Sequence, residues 1–410
     1  MAKTTEVNGI PGWLILMGLL TMTVPLGIDV YLPAFPDIAR QYQVAIAEVE
    51  GTMPVFLIGL ALGQLFYGPI SDRYGRRPPL YLGVVLFTLG ALVSALAASL
   101  EALMVGRIVQ ALGCAACMVV PRAVIRDHYN TQAAARAMSL LLLITGAAPL
   151  LAPSLGGQIL RFAAWPAVFY VQAVFGVVLL VVMLRTLTES LPVEARRPLG
   201  LMTSLRTYGA LLRHRQFMAM SCTGGLAMGG LFAYLTGSPR VFIDVFGLSA
   251  QWYGPIFGLN AVIMIIASQC NSRLLRRRQP ASLLRVTLWL WLVLATLILA
   301  LAVVGYLSFA VLIFAIVVFM AGLGVISPNG TALALAFQGE RLGSASALMG
   351  AIQFLGGTLG GLAISAWRTE GALNLVAVMA LSMLAACLAG RYGLILTQRV
   401  SAARGAASGH

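Results

Sequence analysis

The residues in this sequence best placed to do chemistry are charges set where water should be scarce. Asp29 stands near the end of the first long apolar segment, followed by Tyr31, Pro33 and Pro36, and Arg107 stands inside another. A charge within a membrane span is costly, so it persists mainly where it lines a cavity or moves ions. Asp29 can take up and release a proton, whereas Arg107 stays charged at any working pH. Counted at about 1.5 Å per residue from the ends of their segments, both lie roughly 6–9 Å below the outer boundary. A shared cavity is therefore expected, in which Arg107 and desolvation push the proton affinity of Asp29 in opposite directions. These two are the candidate proton-coupling residues. The competing reading is a structural pair of charges tying two helices together.

Other chemistry finds little support. The three histidines, His128, His214 and His410, lie in loops or the tail without metal-ligand spacing, so no metal site is expected. There is no Gly-x-x-x-x-Gly-Lys-Ser/Thr loop and Lys3 is the sole lysine, which argues against ATP hydrolysis and for an ion gradient, with no cofactor. All five cysteines fall in or beside apolar runs, and Cys114-x-x-Cys117 reads as small apolar filler in a helix.

The elements that must hold these residues are membrane helices. With 60% hydrophobic and 10% charged residues among 410, the chain has too few polar groups to cover a soluble surface. A span needs about 20 mostly apolar residues. Twelve segments qualify: 13–32, 51–70, 79–98, 102–121, 137–160, 164–184, 217–237, 252–271, 286–303, 309–328, 343–366 and 372–390. Backbone polar groups in lipid must be satisfied within each segment, so these are helices. Trp13 onward reads as a retained first span rather than a cleaved leader.

Of 27 basic residues, all except Arg40, Arg161, Arg240, Arg368 and the intramembrane Arg107 fall on one side of such a bundle. That side is the cytoplasm by the positive-inside rule, which puts both termini inside. The net charge of +14 then faces an anionic leaflet and does not imply nucleic acid. The longest connection divides the spans six and six. The expected plan is a half over 1–184, a cytoplasmic linker over 185–215, a second half over 216–396 and a disordered tail over 397–410. Asp72-Arg73-Tyr74-Gly75-Arg76-Arg77 has a worn counterpart in Ser272-Arg273-Leu274-Leu275-Arg276-Arg277, which fits an internal repeat of two pseudo-symmetric halves.

Two stretches read as conformational machinery. In Gly68-Pro69-Ile70-Ser71-Asp72-Arg73-Tyr74-Gly75-Arg76-Arg77 the two glycines permit close backbone approach and a tight turn, and Asp72 can pair with cations at a helix end. In the fifth span, Gly146, Ala148, Pro149, Ala152, Pro153, Gly156 and Gly157 combine small residues four apart with helix-bending prolines, as a hinge or gate would. The remaining glycine clusters read as helix packing.

The loop from Gly68 to Arg77 matches position for position the Gly-x-x-x-Asp-Arg-x-Gly-Arg-Arg loop of the major facilitator superfamily, and the resemblance covers the whole chain. More narrowly, Asp29 with Tyr31, Pro33 and Pro36 resembles the first-helix signature of the bicyclomycin and chloramphenicol resistance branch of drug:proton antiporters. Arg107-Ile108-Val109-Gln110, Pro121-Arg122-Ala123-Val124-Ile125-Arg126-Asp127, Pro328-Asn329-Gly330-Thr331 and Gly343-Ser344-Ala345-Ser346 agree with that branch. The fifth span is similar to the antiporter signature Gly-x-x-x-Gly-Pro-x-x-Gly-Gly at Pro153, Gly156 and Gly157, with Ala148 and Ala152 where glycines are usual; likewise Ala111 replaces a usual Gly. The resemblance implies an all-α integral membrane fold, a conformational role for the Gly68–Arg77 loop, and export of drug-like molecules driven by inward proton flow.

Candidate pocket residues are Asp29, Tyr31, Met53, Gln64, Tyr234, Asn260 and Gln353, each weighed against an ordinary interhelical contact. The expected partners are a small amphipathic substrate, protons and lipid, handled by a monomer in a bacterial inner membrane. The alternatives are a dedicated transporter of one metabolite, which would want more fixed polar groups in the cavity, and a non-transporting sensor or scaffold, which would want a sizeable soluble domain.

Overall fold

The structure, a computed structural model, describes residues 11–129, 131–196, 201–338, 341–367 and 372–408, and its elements are all helical. Eleven stretches among the described residues are long and apolar enough to cross a membrane. A 32-residue helix, Thr131–Phe162, stands where the remaining span is expected. The chain is thus a multi-pass, all-α membrane protein, consistent with twelve spans.

It divides into two compact units, Met1–Met202 with Leu248–Gly258, and Thr203–Gly247 with Leu259–His410. The first unit carries α1 (Gly12–Thr21), α2 (Thr23–Asp29), α3 (Phe35–Tyr42), α4 (Ile46–Glu50), α5 (Thr52–Tyr74), α6 (Arg77–Ala95), α7 (Leu100–His128), α8 (Thr131–Phe162) and α9 (Pro166–Thr186). After α10 (Leu201–Arg213) come α11 (Arg215–Pro239), α12 (Ala250–Leu274), α13 (Pro280–Val303), α14 (Phe309–Leu335), α15 (Leu342–Ala366) and α16 (Leu373–Ser408).

The first span is longer and more broken than its apolar run suggests. It extends from Gly12 to Tyr42. Thr21 and Thr23 donate their hydroxyls back to the carbonyls of Gly18 and Leu20 at 2.7 Å, the kind of bond that bends a helix, and α1 ends between them. Pro33 and Pro36, which lie beyond the expected end of the span at residue 32, sit in the first turns of a 3₁₀ turn over Leu32–Ala34 and of α3, where a missing N–H costs nothing. Asp29 consequently closes α2 in the middle of a buried, jointed segment.

Two expectations about the connections change. The linker contains the helix α10, with Tyr208 and Leu211 buried and Arg206 and Arg213 exposed, because its apolar residues recur at helical spacing. The stretch expected as a disordered tail continues α16 as helix to Ser408; Ala402, Ala403, Ala406 and Ala407 are strong helix formers that let it propagate.

Helices α6 and α7 meet through glycine. A Cβ built on Gly90 would lie 2.3 Å from the Gln110 backbone nitrogen, so the close approach that fixes the height of Gln110 depends on the bare backbone at position 90. Gly90→Val should force α6 off α7 and lower the melting temperature in detergent by several degrees, an overpacking cost of about 1–3 kcal/mol; an unchanged melting curve would contradict this. The glycine clusters of the second unit pack likewise, Gly356 and Gly360 against the carbonyls of Gly225 and Gly229.

Candidate functional site

Arg107 is fully buried on α7 and enclosed by rings. Its guanidinium carbon lies 4.1 Å from the centre of Phe56, 4.6 Å from Tyr31 and 5.8 Å from Phe169. Aromatic faces attract a cation by about 0.5–2 kcal/mol each, and here they stand in for water. One turn along the same face, Gln110 accepts a 2.6 Å bond from Arg107 Nη1 and donates one of 2.6 Å to Gln172 Oε1 on α9. Arg107 Nε and Nη2 have no hydrogen-bond partner among the described residues. The Tyr31 hydroxyl bonds Thr52 Oγ1, whose own hydroxyl reaches the Val49 carbonyl.

Asp29 is buried, 4% exposed, on the adjoining segment. Gly156 of α8 lies against the next residue so closely that a Cβ there would sit 2.0 Å from the Val30 carbonyl oxygen. The fifth-span glycines therefore seat the end of α2. Pro153 and Gly157 are buried beside them, while the Pro149 side chain lies outside the described residues.

Asp29 and Arg107, expected to share a cavity, form no ion pair with each other. The ion pairs of the first unit include Arg40–Asp37, Arg76–Asp72 and Arg76–Asp127, and neither Asp29 nor Arg107 is in any of them. At about 100° per helical residue, Asp29 and Tyr31 point to nearly opposite sides of their segment. The side that carries Tyr31 is the one turned to Arg107. Counting residues fixed a common depth and left the direction of each side chain undetermined.

A second buried carboxylate accompanies Asp29. Glu50, at the end of α4, is 0% exposed and lies inside the span Ile46–Tyr74, whereas the sequence reading left Asp29 as the only acid within a span. The missed signal is periodicity: Ala47, Glu50, Pro54 and Leu57 form one buried stripe that extends the span backward past Gly51.

The other pocket candidates separate. Tyr234 and Asn260 are both buried and joined by a 2.8 Å bond from Asn260 Nδ2 to the Tyr234 hydroxyl. Gln64 points its amide at Met118 Sδ, 3.6 Å away. Met53 is buried, and Gln353 is half-buried beside Gly224. Cys114 donates to the Thr23 carbonyl and Cys117 is buried near it, as packing residues would be.

The Gly68–Arg77 loop is organised around Arg76, which is 6% exposed. Its Nε and Nη2 grip both oxygens of Asp127 at 2.8 and 3.3 Å, and Nη1 reaches Asp72 at 2.6 Å and Ser71 at 2.9 Å. Burial works against the charge, and the bonds to Asp127 and Asp72 outweigh it, so Arg76 is held more basic than usual. Asp127 also accepts from Ser190.

Sequence reasoning also missed Glu189, just past α9. One of its oxygens accepts from the backbone nitrogens of Arg76 and Leu191, the other from that of Arg77. Gly75 makes room for it: the backbone there has φ +92°, and a Cβ would lie 2.5 Å from Glu189 Oε2. Arg77 also bonds Tyr81, and Arg73 lies over Tyr74. Gly68 does not fit its expected role, since a Cβ there would have no heavy atom of the described residues within 4 Å. Near Ser272, in the second unit's counterpart of the loop, Asn271 accepts from Asn329 at 2.7 Å.

Glu189→Ala would strand three backbone donors. Trypsin should then cut after Arg76, the Arg77–Pro78 bond being resistant, several times faster, since cleavage follows the population of the locally opened loop. An unaltered digestion rate would show the grip to be unimportant.

A family model described as Major Facilitator Superfamily matches residues 17–361. The chain is 37% identical over 346 residues to an uncharacterized MFS-type transporter, YdgK, of Bacillus subtilis, covering 84% of this chain and 86% of that one. It is 31% identical over 399 residues to the bicyclomycin resistance protein homolog of Haemophilus influenzae, covering 96% and 98%. It is 30% identical over 342 residues to multidrug resistance protein MdtL of Escherichia coli, covering 83% and 85%. A crystal structure of the peptide transporter POT superposes with a TM-score of 0.75 at 14% identity over 97% of this chain and 96% of that one, a likeness of fold.

Proposed function

Because the chain belongs to the major facilitator superfamily, we propose that this membrane transporter exports drug-like small molecules in exchange for protons. The observation that carries the coupling is Asp29, a buried carboxyl without an ion pair among the described residues, on a broken helix segment seated by Gly156. A carboxyl whose exposure to water changes as its cavity opens and closes also changes its proton affinity, which is what exchange of a proton for substrate requires. The drug-resistance names of the Haemophilus and Escherichia relatives support the substrate class.

In this reading Arg107 fixes the polar chain through Gln110 to Gln172 and presents a cationic, aromatic wall. The site residues act in a bacterial inner membrane with both termini cytoplasmic, as the loop arginines suggest. The Gly68–Arg77 loop holds one arrangement of the first unit through Arg76 and Glu189. The monomer needs no cofactor, and the proton gradient is the energy source.

Inverted membrane vesicles carrying the protein and acidified inside test this directly. A cationic amphipathic drug such as ethidium should collapse part of the preset pH gradient within seconds, and vesicles without the protein should not respond. If no compound from a panel of amphipathic drugs moves protons, export coupled to protons is wrong for this chain.

A further inference from the structure

We propose that the second unit carries a binding site for the headgroup of an anionic phospholipid, on the exposed flank of the α13–α16 contact at its arginine-rich end. The two helices run antiparallel and touch tightly there: Cys387 Sγ donates to the Leu288 carbonyl at 3.0 Å, and a Cβ on Gly390 would lie 2.6 Å from Leu288 Cδ1. Just outside this contact, on the exposed flank, the Arg391 guanidinium stacks 4.3 Å from the centre of the Trp289 ring. Trp289 is 48% exposed. Arg285 is exposed one turn before it on α13, and Arg399 two turns beyond Arg391 on α16, both toward the same end of the antiparallel pair.

The charge around this flank is one-sided. No Asp or Glu occurs anywhere in residues 245–339 or 371–410. Arg285, Arg391 and Arg399 make no ion pair among the described residues. The flank itself is apolar, with Leu388 70% and Val293 61% exposed toward the side from which acyl chains would come.

Guanidinium groups over an apolar flank, with an interfacial tryptophan between them, match a phosphate headgroup above acyl chains. Stacking on Trp289 pre-orients Arg391, so its fork of donors is presented at little entropic cost. Two or three arginines along one end of this helix pair favour a lipid with two phosphates, such as diphosphatidylglycerol, over one with a zwitterionic headgroup.

Native mass spectrometry of the full-length protein in detergent, titrated with diphosphatidylglycerol or phosphatidylethanolamine, reads the site. Wild type should retain one diphosphatidylglycerol in preference to phosphatidylethanolamine. The double variant Arg285→Gln with Arg391→Gln should bind it roughly thirtyfold more weakly, the loss expected from two guanidiniums near a lipid surface. Arg391→Lys keeps the charge without the planar stack and should fall between. Arg213→Gln, an exposed arginine on α10, should leave retention unchanged. Equal loss with Arg213→Gln, no preference between the two lipids, or competition by millimolar inorganic phosphate as effective as that by lipid would each overturn the proposal.

Discussion

Asp29→Asn should return drug susceptibility in a pump-deficient host to the level of an empty vector and remove drug-induced proton flux in vesicles, while the protein remains folded in the membrane. The amide keeps the shape of the carboxyl, so packing against α8 survives, and a near-isosteric change of this kind costs little stability. What the amide cannot do is exchange a proton in the working pH range. The loss should therefore fall on coupling, with detergent-solubilised yield and melting temperature within a few degrees of wild type. Equilibrium binding of ethidium to the D29N variant separates a lost proton step, in which binding persists, from a lost pocket, in which it does not. Glu50 supplies the internal comparison, being the other buried acid of the first unit among the described residues. Should Asp29→Asn retain proton-driven export while Glu50→Gln loses it, coupling belongs to Glu50.

Helix number and the signature loop were legible because they rest on composition and spacing, which a chain displays openly. Lipid imposes long apolar runs, and loop arginines mark their ends. Asp29 was legible for the same reason, as a charge out of place. Its relation to Arg107 was not, because depth along a helix follows from counting while direction around it depends on where the helix breaks. The break at Met22 comes from hydroxyl back-bonding by Thr21 and Thr23, a local competition that hydropathy does not register.

Glu189 was hidden for a different reason. It acts through its carboxylate on the backbone of residues more than a hundred positions earlier, and backbone donors have no sequence signature. Gly75 was the visible half of that contact. The substrate cavity was the least legible part, since Tyr234 with Asn260 and Gln64 with Met118 are satisfied pairs that in sequence look the same as ligand contacts.

Arg107→Met should abolish export and at the same time leave the protein as stable as wild type or more so. A guanidinium with zero exposure has given up its water, and here only one of its nitrogens, Nη1, is hydrogen-bonded to protein, while Nε and Nη2 find no partner among the described residues. Three ring faces return part of that cost. Replacing a buried charge by an apolar side chain of similar length is often neutral or stabilising by about 1–4 kcal/mol, and methionine fills an irregular aromatic cage well. A residue kept for folding would show the opposite, a melting temperature that falls with the charge. Arg107→Lys distinguishes charge from geometry: it restores a cation among the rings but as a compact ammonium without the planar fork that reaches Gln110. If charge alone matters, the lysine variant recovers most export; if the chain through Gln110 to Gln172 must be held, it recovers little, and Gln110→Leu should reproduce the defect with Arg107 intact. A methionine variant that is strongly destabilised would assign Arg107 to structure and remove it from the transport cycle.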